Sequence, residues 1–305
     1  MQSPFFSIVI ATYNRRPVLE RAVASVENQT FSNWELIVVD DASTDDTAPW
    51  LALKQKQMGD RLKVHVSEKN RERGYSRNIG IQMASGLYVG FLDSDDYHLP
   101  HHLDCIYSEL KQRSMPVALF FTNAQDGFED GRIEARDCPD LNSMPLMEYL
   151  LLHTFNPQRV VVHRTVLESN TFDPEIPGLE DLDLWLRVAT KFPVFQIQER
   201  STVYYCHPEA YSWSEKRYQK EILFLKRMMR KKELQGQLPK RTLKRMFFER
   251  HLGAACWAGK NQDPAGVLLH FLWLVFNVPL AIRSKHIKDI LYSIKTGFSI
   301  KEKAC

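Results

Sequence analysis

The sequence predicts an α/β fold in which a mostly parallel sheet is flanked by helices. Short apolar segments alternate with segments whose apolar residues recur at helical spacing, a pattern typical of consecutive βα units. The candidate strands are residues 7–11, 36–39, 62–66, 87–92 and 117–122. Ligands of such sheets bind beyond the carboxyl ends of the strands. We therefore expect Tyr13, Asp40, Asp41, Asp93 and Asp95 to share one edge of the sheet.

The segments between and after these strands predict the remaining elements. Apolar residues at positions 19, 22, 23 and 26 have helical spacing, and Ser43 is a candidate N-cap for the next helix. Further helices are expected at residues 75–84, from about residue 100, and at 182–188; further strands are expected at 159–163, 194–197 and 202–206. Residues 126–136, with Asp130-Gly131, predict a hairpin or a mobile loop.

The composition is that of an ordinary globular protein. The chain has 305 residues, of which 44% are hydrophobic and 25% are charged, enough for a full core. Five scattered cysteines without a C-x-x-C pair argue against a zinc site and a disulfide scaffold. The N-terminus lacks the basic region of a signal peptide, so we expect a cytoplasmic protein.

The net charge of +3 conceals an acidic body and a basic tail. Residues 1–213 have a net charge of −10 and residues 214–305 a net charge of +13, which predicts a domain boundary at this point. Within the tail, residues 267–282 are almost all apolar, but a membrane span needs about 20 residues. Basic residues beside Trp and Phe predict a helix in the membrane interface. Packing on the first domain or on another subunit is the alternative.

Three carboxylates end the fourth candidate strand. Asp93, Asp95 and Asp96 follow the apolar run in Phe-Leu-Asp-Ser-Asp-Asp. Neighbouring negative charges repel one another unless a cation holds them, and hard divalent cations prefer oxygen ligands. The cluster therefore predicts Mg²⁺ or Mn²⁺ bridging to a phosphorylated substrate. A solvated acidic turn is the alternative.

Five motifs stand in order along residues 5–212. They are Ser7-Ile-Val-Ile-Ala-Thr-Tyr-Asn-Arg15, Leu36-Ile-Val-Val-Asp-Asp-Ala-Ser-Thr-Asp-Asp-Thr47, Gly74-x-x-x-Arg-Asn-x-Gly80, Phe91-Leu-Asp-Ser-Asp-Asp96 and Glu180-Asp-Leu-Asp-Leu-Trp-Leu-Arg187. Together they closely resemble the family 2 inverting glycosyltransferases of bacterial surface-polysaccharide type. The resemblance implies the GT-A fold, whose mostly parallel sheet is Rossmann-like.

The resemblance also implies roles for individual residues. Tyr13 and Asp41 match residues that hold the base of a nucleotide-sugar donor. Arg71 lies in the segment that closes over the nucleotide, and Arg77 in the one that approaches its phosphates, with a salt bridge to nearby acids as the alternative for Arg77. Asp93 matches the first carboxylate of the D-x-D element, which contacts donor and metal.

Two more residues complete the implied site. Asp95, the second D-x-D carboxylate, is the expected direct ligand of Mn²⁺ or Mg²⁺. His207 stands near a position where some relatives have a further metal or diphosphate ligand, although a lone histidine is often structural. The histidines at positions 98, 101 and 102 are interpreted as acceptor-side or surface residues.

Asp181 matches the family's catalytic base. Inversion at the anomeric carbon requires one carboxylate to remove the proton of the acceptor hydroxyl during in-line attack. A helix N-terminus stabilises an ionised carboxylate, so we expect Asp181 to be charged and Glu180 to be the structural member of the pair. The apolar Leu182, Trp185 and Leu186 would anchor the helix.

The resemblance implies transfer of a sugar from a nucleoside-diphosphate donor, expected to be UDP-linked, to a glycan or glycolipid acceptor. Residues 1–120 would bind the donor, residues 121–213 the acceptor, and residues 214–305 the inner face of the membrane. No nucleic-acid partner is expected, and a homo-oligomer stays open. The alternatives are a Mg-dependent nucleotidyltransferase and a non-catalytic adaptor that binds membrane or nucleic acid through the basic tail.

Overall fold

A computed structural model describes residues 3–176, 178–206, 215–261 and 263–277. The chain forms two compact units, Met1–Pro208 and Glu209–Cys305. The domain boundary expected between residues 213 and 214 lies outside the described residues.

Strands and helices alternate through the first part of the first unit. Its strands are β1 (Phe6–Thr12), β2 (Trp34–Asp40), β3 (Leu62–Val66), β4 (Tyr88–Asp93), β5 (Tyr97–His98), β6 (Leu119–Phe128), β7 (Ile133–Ala135), β8 (Val160–His163) and β9 (Val194–Cys206). Its helices are α1 (Arg16–Glu27), α2 (Thr47–Met58), α3 (Glu72–Met83), α4 (His102–Gln112), α5 (Leu146–Leu152), α6 (Arg164–Glu168) and α7 (Glu180–Ala189).

Most predicted elements are found within a few residues of their expected places, and the hairpin predicted at 126–136 is formed by β6 and β7. Two expectations are wrong. The strands expected at 194–197 and 202–206 are one strand, β9, whose register against β6 shifts in the middle. Ser43 does not cap α2, because that helix begins four residues later; its hydroxyl instead accepts a hydrogen bond from the backbone N–H of Asn14 at 2.8 Å.

The described part of the sheet has nine strands in the order β3-β2-β1-β4-β8-β6-β9-β5, with β7 paired to β6. Strands β3, β2, β1 and β4 are mutually parallel, as the alternation of strands and helices predicts. The second half is mixed: β8 is antiparallel to β4 and β6, β9 is parallel to β6, and β5 is antiparallel to β9. The regular alternation of strand and helix ends after α4, and the parallel pairing of sequential strands ends with it.

Close contact between α3 and β1 fixes the helix that carries Arg77. A Cβ atom on Gly80 would lie 2.2 Å from Cγ1 of Val9, so only glycine allows this approach. Strands β1 and β2 are buried on both faces, which explains the unbroken apolar runs at residues 8–11 and 36–39. The sheet is therefore a rigid support for the loops at its carboxyl edge.

The second unit is helical, with α8 (Glu215–Met228), α9 (Lys240–Lys260) and α10 (Pro264–Asn277). Helices α9 and α10 are joined by the buried pair His251 and His270, whose Nδ1 atoms lie 3.0 Å apart. Helix α10 leaves Leu268, Leu269 and Leu272 exposed. Among the described helices, none has both the length and the apolar character needed to cross a membrane.

Candidate active site

The carboxyl ends of β1, β2 and β4 bring the predicted donor and metal residues to one edge of the sheet, as expected. Thr12 pairs with Asp40 across β1 and β2, and Ala11 pairs with Asp93 across β1 and β4. The backbone N–H of Asp41 donates to the carbonyl oxygen of Thr12 at 2.9 Å. The residues that follow each strand are therefore neighbours.

Tyr13 presents its ring at this edge. The side chain is 43% exposed, although most large apolar groups of the unit are buried. The next residue, Asn14, has the left-handed φ of 50°, and its Oδ1 accepts a hydrogen bond from the N–H of Thr44 at 2.7 Å. The loop after β1 is thus hydrogen-bonded to the loop after β2. Because the ring of Tyr13 is exposed at this edge, it is available for stacking with a planar ligand.

Asp41 is buried and attached to the segment that carries Arg71. Its Oδ1 and Oδ2 both accept a hydrogen bond from the backbone N–H of Arg71, at 3.0 and 3.1 Å. The guanidinium of Arg71 lies 4.7 Å from the ring centroid of Tyr75 and donates to its hydroxyl at 2.7 Å. Asp41 therefore holds the segment that was predicted to close over a nucleotide.

Arg77 connects the end of β4 with the start of α7. Its Nη2 donates to Oδ1 of Asp93 at 2.6 Å and its Nη1 donates to Oε1 of Glu180 at 2.9 Å. The guanidinium is buried and lies 5.4 Å from the ring centroid of Phe172. This is the salt bridge that the sequence left as the alternative for Arg77, and its contact with donor phosphates stays a prediction.

Asp95 and Asp96 have different surroundings. Oδ2 of Asp95 accepts a hydrogen bond from Nη1 of Arg15, and its backbone oxygen accepts one from Nη2 of Arg21 at 2.7 Å. Asp96 points inward, where its carboxylate contacts the amide of Gln158 and accepts the N–H of Tyr205 at 2.8 Å. Burial, together with the charges of Asp95 and Asp93, raises the pKa of Asp96 well above its usual value.

The carboxylates of Asp93 and Asp95 fit a divalent cation that is shared with a substrate. Their side chains are 22% and 23% exposed. Oδ2 of Asp93 accepts no hydrogen bond from the described residues, and these residues contain no group of three or more His, Cys, Asp or Glu side chains that could hold a metal ion. Mg²⁺ in proteins is often bound by one or two carboxylates plus substrate phosphates. His207 lies outside the described residues.

Asp181 lies in the first turn of α7, and its Oδ1 accepts the N–H of Leu182 at 2.8 Å. Burial raises the pKa of Asp181 to about 7, and the negative charge of Glu180 adds to this effect. The expectation that the helix N-terminus keeps Asp181 fully ionised is therefore wrong. The stabilisation by the helix terminus is smaller than the combined cost of desolvation and like-charge repulsion.

Glu180 is the structural member of the pair. Its side chain is buried, Oε1 accepts from Nε of Arg73 at 2.8 Å as well as from Arg77, and Oε2 accepts the N–H of Gly178 at 2.7 Å. Burial alone would raise the pKa of Glu180, but the charges of Arg73 and Arg77 bring it below its usual value. Glu180 thus stays ionised beside Asp181.

Helix α7 is rigidly anchored, as its apolar spacing predicts. Trp185 is fully buried, and its Nε1–H donates to the carbonyl oxygen of Phe155 at 3.0 Å. The indole also lies 6.0 Å from the ring centroids of Phe155 and Phe172. Leu182 and Leu186 are buried beside it. The position of Asp181 is therefore set by the core rather than by a mobile loop.

Several residues that contact the site were given no role by the sequence. Arg15, Arg21, Gln158 and Tyr205 all contact the aspartate cluster, and only Arg15 belonged to a motif. The interpretation of the three histidines as acceptor-side or surface residues is wrong for two of them. The rings at positions 98 and 102 are buried, and their centroids lie 3.7 Å apart. Nε2 of His98 lies 2.9 Å from the Gln158 carbonyl oxygen, and Nδ1 of His102 lies 2.8 Å from the Ser201 hydroxyl.

Comparison with known proteins agrees with this geometry. Residues 7–164, more than half of the chain, match the profile of Glycosyl transferase family 2. An uncharacterized glycosyltransferase of Methanocaldococcus jannaschii is 26% identical over 215 residues, which cover 68% of this chain and 72% of that protein. The GalNAc(5)-diNAcBac-PP-undecaprenol beta-1,3-glucosyltransferase of Campylobacter jejuni is 27% identical over 186 residues, which cover 61% of this chain and 60% of that protein.

Two solved structures show the same fold. S. aureus TarS 1-349 in complex with UDP-GlcNAc matches with a TM-score of 0.60 and 19% identity, over 95% of this chain and 81% of that one. The mannosyltransferase PcManGT from Pyrobaculum calidifontis, in complex with GDP-Man and Mn2+, matches with a TM-score of 0.60 and 16% identity, over 97% and 87%. The predicted GT-A fold is confirmed. The chain belongs to glycosyl transferase family 2 and is a glycosyltransferase.

Proposed function

We propose that this chain is an inverting, metal-dependent glycosyltransferase in which Asp181 is the general base. The observation that carries this proposal is the environment of Asp181. Its carboxylate lies in the first turn of an anchored helix, and its pKa of about 7 is close to the pH at which it would act. A base with this pKa is ionised often enough to act and still takes up a proton readily. Asp181 would accept the proton of the acceptor hydroxyl at one of its carboxylate oxygens.

The donor would bind along the carboxyl edge of β1, β2 and β4. The exposed ring of Tyr13 suits stacking with a nucleobase, and Asp41 and Arg71 would form the segment that covers it. We propose UDP as the carrier, because the similar TarS structure contains UDP-GlcNAc. The PcManGT structure contains GDP-Man, so a test with both nucleotides decides the base.

Asp93 and Asp95 would hold Mn²⁺ or Mg²⁺, with His207 as a further ligand. The ion supplies a Lewis acid that stabilises the charge developing on the departing nucleoside diphosphate. Arg77 keeps Asp93 oriented, because it is held between this carboxylate and Glu180. The residues of the chain therefore position the donor, and Asp181 accepts the one proton that the acceptor hydroxyl must lose.

The acceptor would be a glycan or a glycolipid in the synthesis of a surface polysaccharide. The Campylobacter relative is named for an undecaprenol-linked substrate, and the basic charge of residues 214–305 suits an anionic membrane surface. Exposed Leu268, Leu269 and Leu272 in α10 provide apolar contact for peripheral binding at the inner face. The match to glycosyl transferase family 2 favours glycosyl transfer over both the nucleotidyltransferase and the adaptor that the sequence left open.

The test is the variant Asp181→Asn, compared with Asp130→Asn, which removes an exposed carboxylate from the β6–β7 hairpin. Sugar transfer should be lost only in Asp181→Asn, whereas Mn²⁺-dependent binding of UDP or GDP should be unchanged in both variants. The anomeric configuration of the product, read by NMR, should be opposite to that of the donor. Normal turnover by Asp181→Asn would overturn the base assignment, and a retained configuration would overturn inversion.

A further inference from the structure

Two arginines of the first unit are buried among the described residues, and they differ in their partners. Arg77 is held between the carboxylates of Asp93 and Glu180. Arg159 is 6% exposed, yet in the described part of the chain its side chain makes one hydrogen bond, from Nε to the carbonyl oxygen of Thr122 at 2.6 Å, and Nη2 has no hydrogen-bond partner. Among these residues, Arg159 is therefore a buried cation without a carboxylate.

The surroundings of Arg159 make such a charge costly. Its guanidinium lies 5.4 Å from the ring centroid of Phe121 and 5.9 Å from that of Phe155. Aromatic rings attract a cation, but a buried charge normally has a partner of opposite charge, because desolvation penalises an unpaired ion. Departures from this rule are expected at functional sites. A guanidinium kept here without a carboxylate suits a site whose anion belongs to a ligand.

Arg159 lies at the same edge of the sheet as the proposed donor site. It directly precedes β8, whose first residue, Val160, pairs with Phe121 of β6, and β8 also pairs with β4. Since β8 is antiparallel to both strands, its start lies beside their carboxyl ends. The preceding residue, Gln158, contacts the carboxylate of Asp96. An anion bound at Arg159 would therefore lie at the active edge, in the part of the chain predicted to bind the acceptor.

Arg136 and Tyr204 accompany Arg159. The guanidinium of Arg136 lies 4.1 Å from the ring centroid of Tyr204, and Asp126 compensates its charge by accepting a hydrogen bond from Nε at 2.7 Å. Burial raises the pKa of Tyr204 to about 12, and the charges of Arg159 and Arg136 act against this rise. The Arg136 side chain is 28% exposed, so a ligand can reach this side of the cluster. The uncompensated positive charge is that of Arg159.

We propose that Arg159, together with Arg136 and Tyr204, forms an oxyanion site that selects acceptors with a negative charge. The ligand class is a sugar that carries a carboxylate or a phosphate, since both groups match the planar set of donors of a guanidinium. The proposal rests on the proposed function and adds the charge of the acceptor to it. The cluster supplies specificity, because the proton of the acceptor hydroxyl goes to Asp181.

The test uses three small probes that differ in charge: methyl β-D-glucoside, methyl β-D-glucuronide and glucose 1-phosphate. Their binding to the full chain is measured by ligand-observed NMR at saturating Mg²⁺ and UDP or GDP, so that the nucleotide site is occupied. The variants are Arg159→Met, which replaces the guanidinium by an apolar side chain, and Arg132→Met. Arg132 is the matched control, because its exposed side chain pairs with Asp130 and Glu134 in the β6–β7 hairpin.

The wild-type chain should bind one of the charged probes about tenfold more tightly than methyl β-D-glucoside, because a charge-assisted hydrogen bond is gained. Preference for the glucuronide assigns the site to a sugar carboxylate, and preference for glucose 1-phosphate assigns it to a sugar phosphate. Arg159→Met should bind all three probes alike, whereas Arg132→Met should match wild type. The Tm of Arg159→Met should equal or exceed that of wild type, since an apolar side chain removes the desolvation penalty of a buried unpaired charge.

Equal binding of the three probes by the wild-type chain would overturn the proposal, as would a charge preference that survives in Arg159→Met. A lower Tm of Arg159→Met, or its failure to fold, would also overturn the proposal, because the guanidinium would then support the fold through partners of its own. These results leave the proposed function standing if the wild-type chain binds UDP or GDP in a metal-dependent manner. If it does not, the proposed donor site is wrong, and the acceptor assignment falls with it.

Discussion

Nη2 of Arg77 lies 2.6 Å from Oδ1 of Asp93, and the same guanidinium reaches Glu180 through Nη1 at 2.9 Å. One buried cation thus ties the acidic end of β4 to the first turn of the helix that carries Asp181. The proposed metal side and the proposed base side of the site are held together through the core. Changes at Arg77 should therefore affect the whole fold, whereas a change at an exposed arginine should affect stability much less.

Arg77→Gln should lower the free energy of unfolding by about 3–5 kcal/mol, because it leaves two carboxylates without their shared buried cation. Arg73→Gln is the control, since the Arg73 side chain is 48% exposed and also contacts Glu180. Its effect should be below about 1 kcal/mol. Urea denaturation followed by circular dichroism measures both. Equal stability of the two variants would contradict a structural role for Arg77.

The pH profile of sugar transfer should reflect the ionisation of Asp181. Because its pKa is raised to about 7, kcat/KM should fall below that pH, by about tenfold for each pH unit once Asp181 is mostly protonated. The profile is measured with saturating Mn²⁺ in overlapping buffers. A profile that stays flat down to pH 5 would mean that the base has an ordinary carboxylate pKa or is another residue.

Stability should depend on pH through the same carboxyl group. An acid whose pKa is raised on folding stabilises the fold below its unfolded pKa, and this contribution is lost as the pH rises through the folded value of about 7. Asp181→Asn should therefore have a higher Tm than wild type at pH 8, and the difference should disappear towards pH 4. A constant difference across this range would contradict the raised pKa.

Tyr13→Ala should weaken Mn²⁺-dependent binding of the preferred nucleoside diphosphate by about tenfold, whereas Tyr13→Phe should retain it, because stacking needs the ring and not the hydroxyl. The exposed position of Tyr13 leaves the stability of the fold unchanged in both variants. Calorimetry with UDP and GDP measures the affinities. Equal affinity of Tyr13→Ala and wild type would remove Tyr13 from the base site.

Gly80→Ala should destabilise the fold by about 1–3 kcal/mol, because its Cβ would lie 2.2 Å from Cγ1 of Val9. Gln82→Ala, at an exposed position of the same helix, should change stability by less than about 0.5 kcal/mol. In the double variant Val9→Ala/Gly80→Ala the loss should be smaller than the sum of the single losses. Additive losses would show that the two side chains do not compete for space.

Much of the first unit could be predicted from local patterns. The apolar runs of β1, β2 and β4 and the helical spacing of α7 are properties of neighbouring residues, so they are visible in the sequence. The position of Ser43 and the division of β9 were predicted wrongly, because hydrogen bonds to distant loops and a mid-strand register shift decide them. The buried stack of His98 and His102 was not predicted, because both rings contact residues that are distant in the sequence, Gln158 and Ser201.

The sequence by itself determined the family, the GT-A fold and the identity of the acidic residues, because ordered motifs and periodic burial are encoded in adjacent positions. Only the tertiary structure decided which charges meet. Arg15 and Asp95 are 80 residues apart in the chain, and Arg77 and Glu180 are 103 apart. The pKa of Asp181 depends on burial and on the charges that folding brings near it, and a local sequence pattern does not show either of these effects.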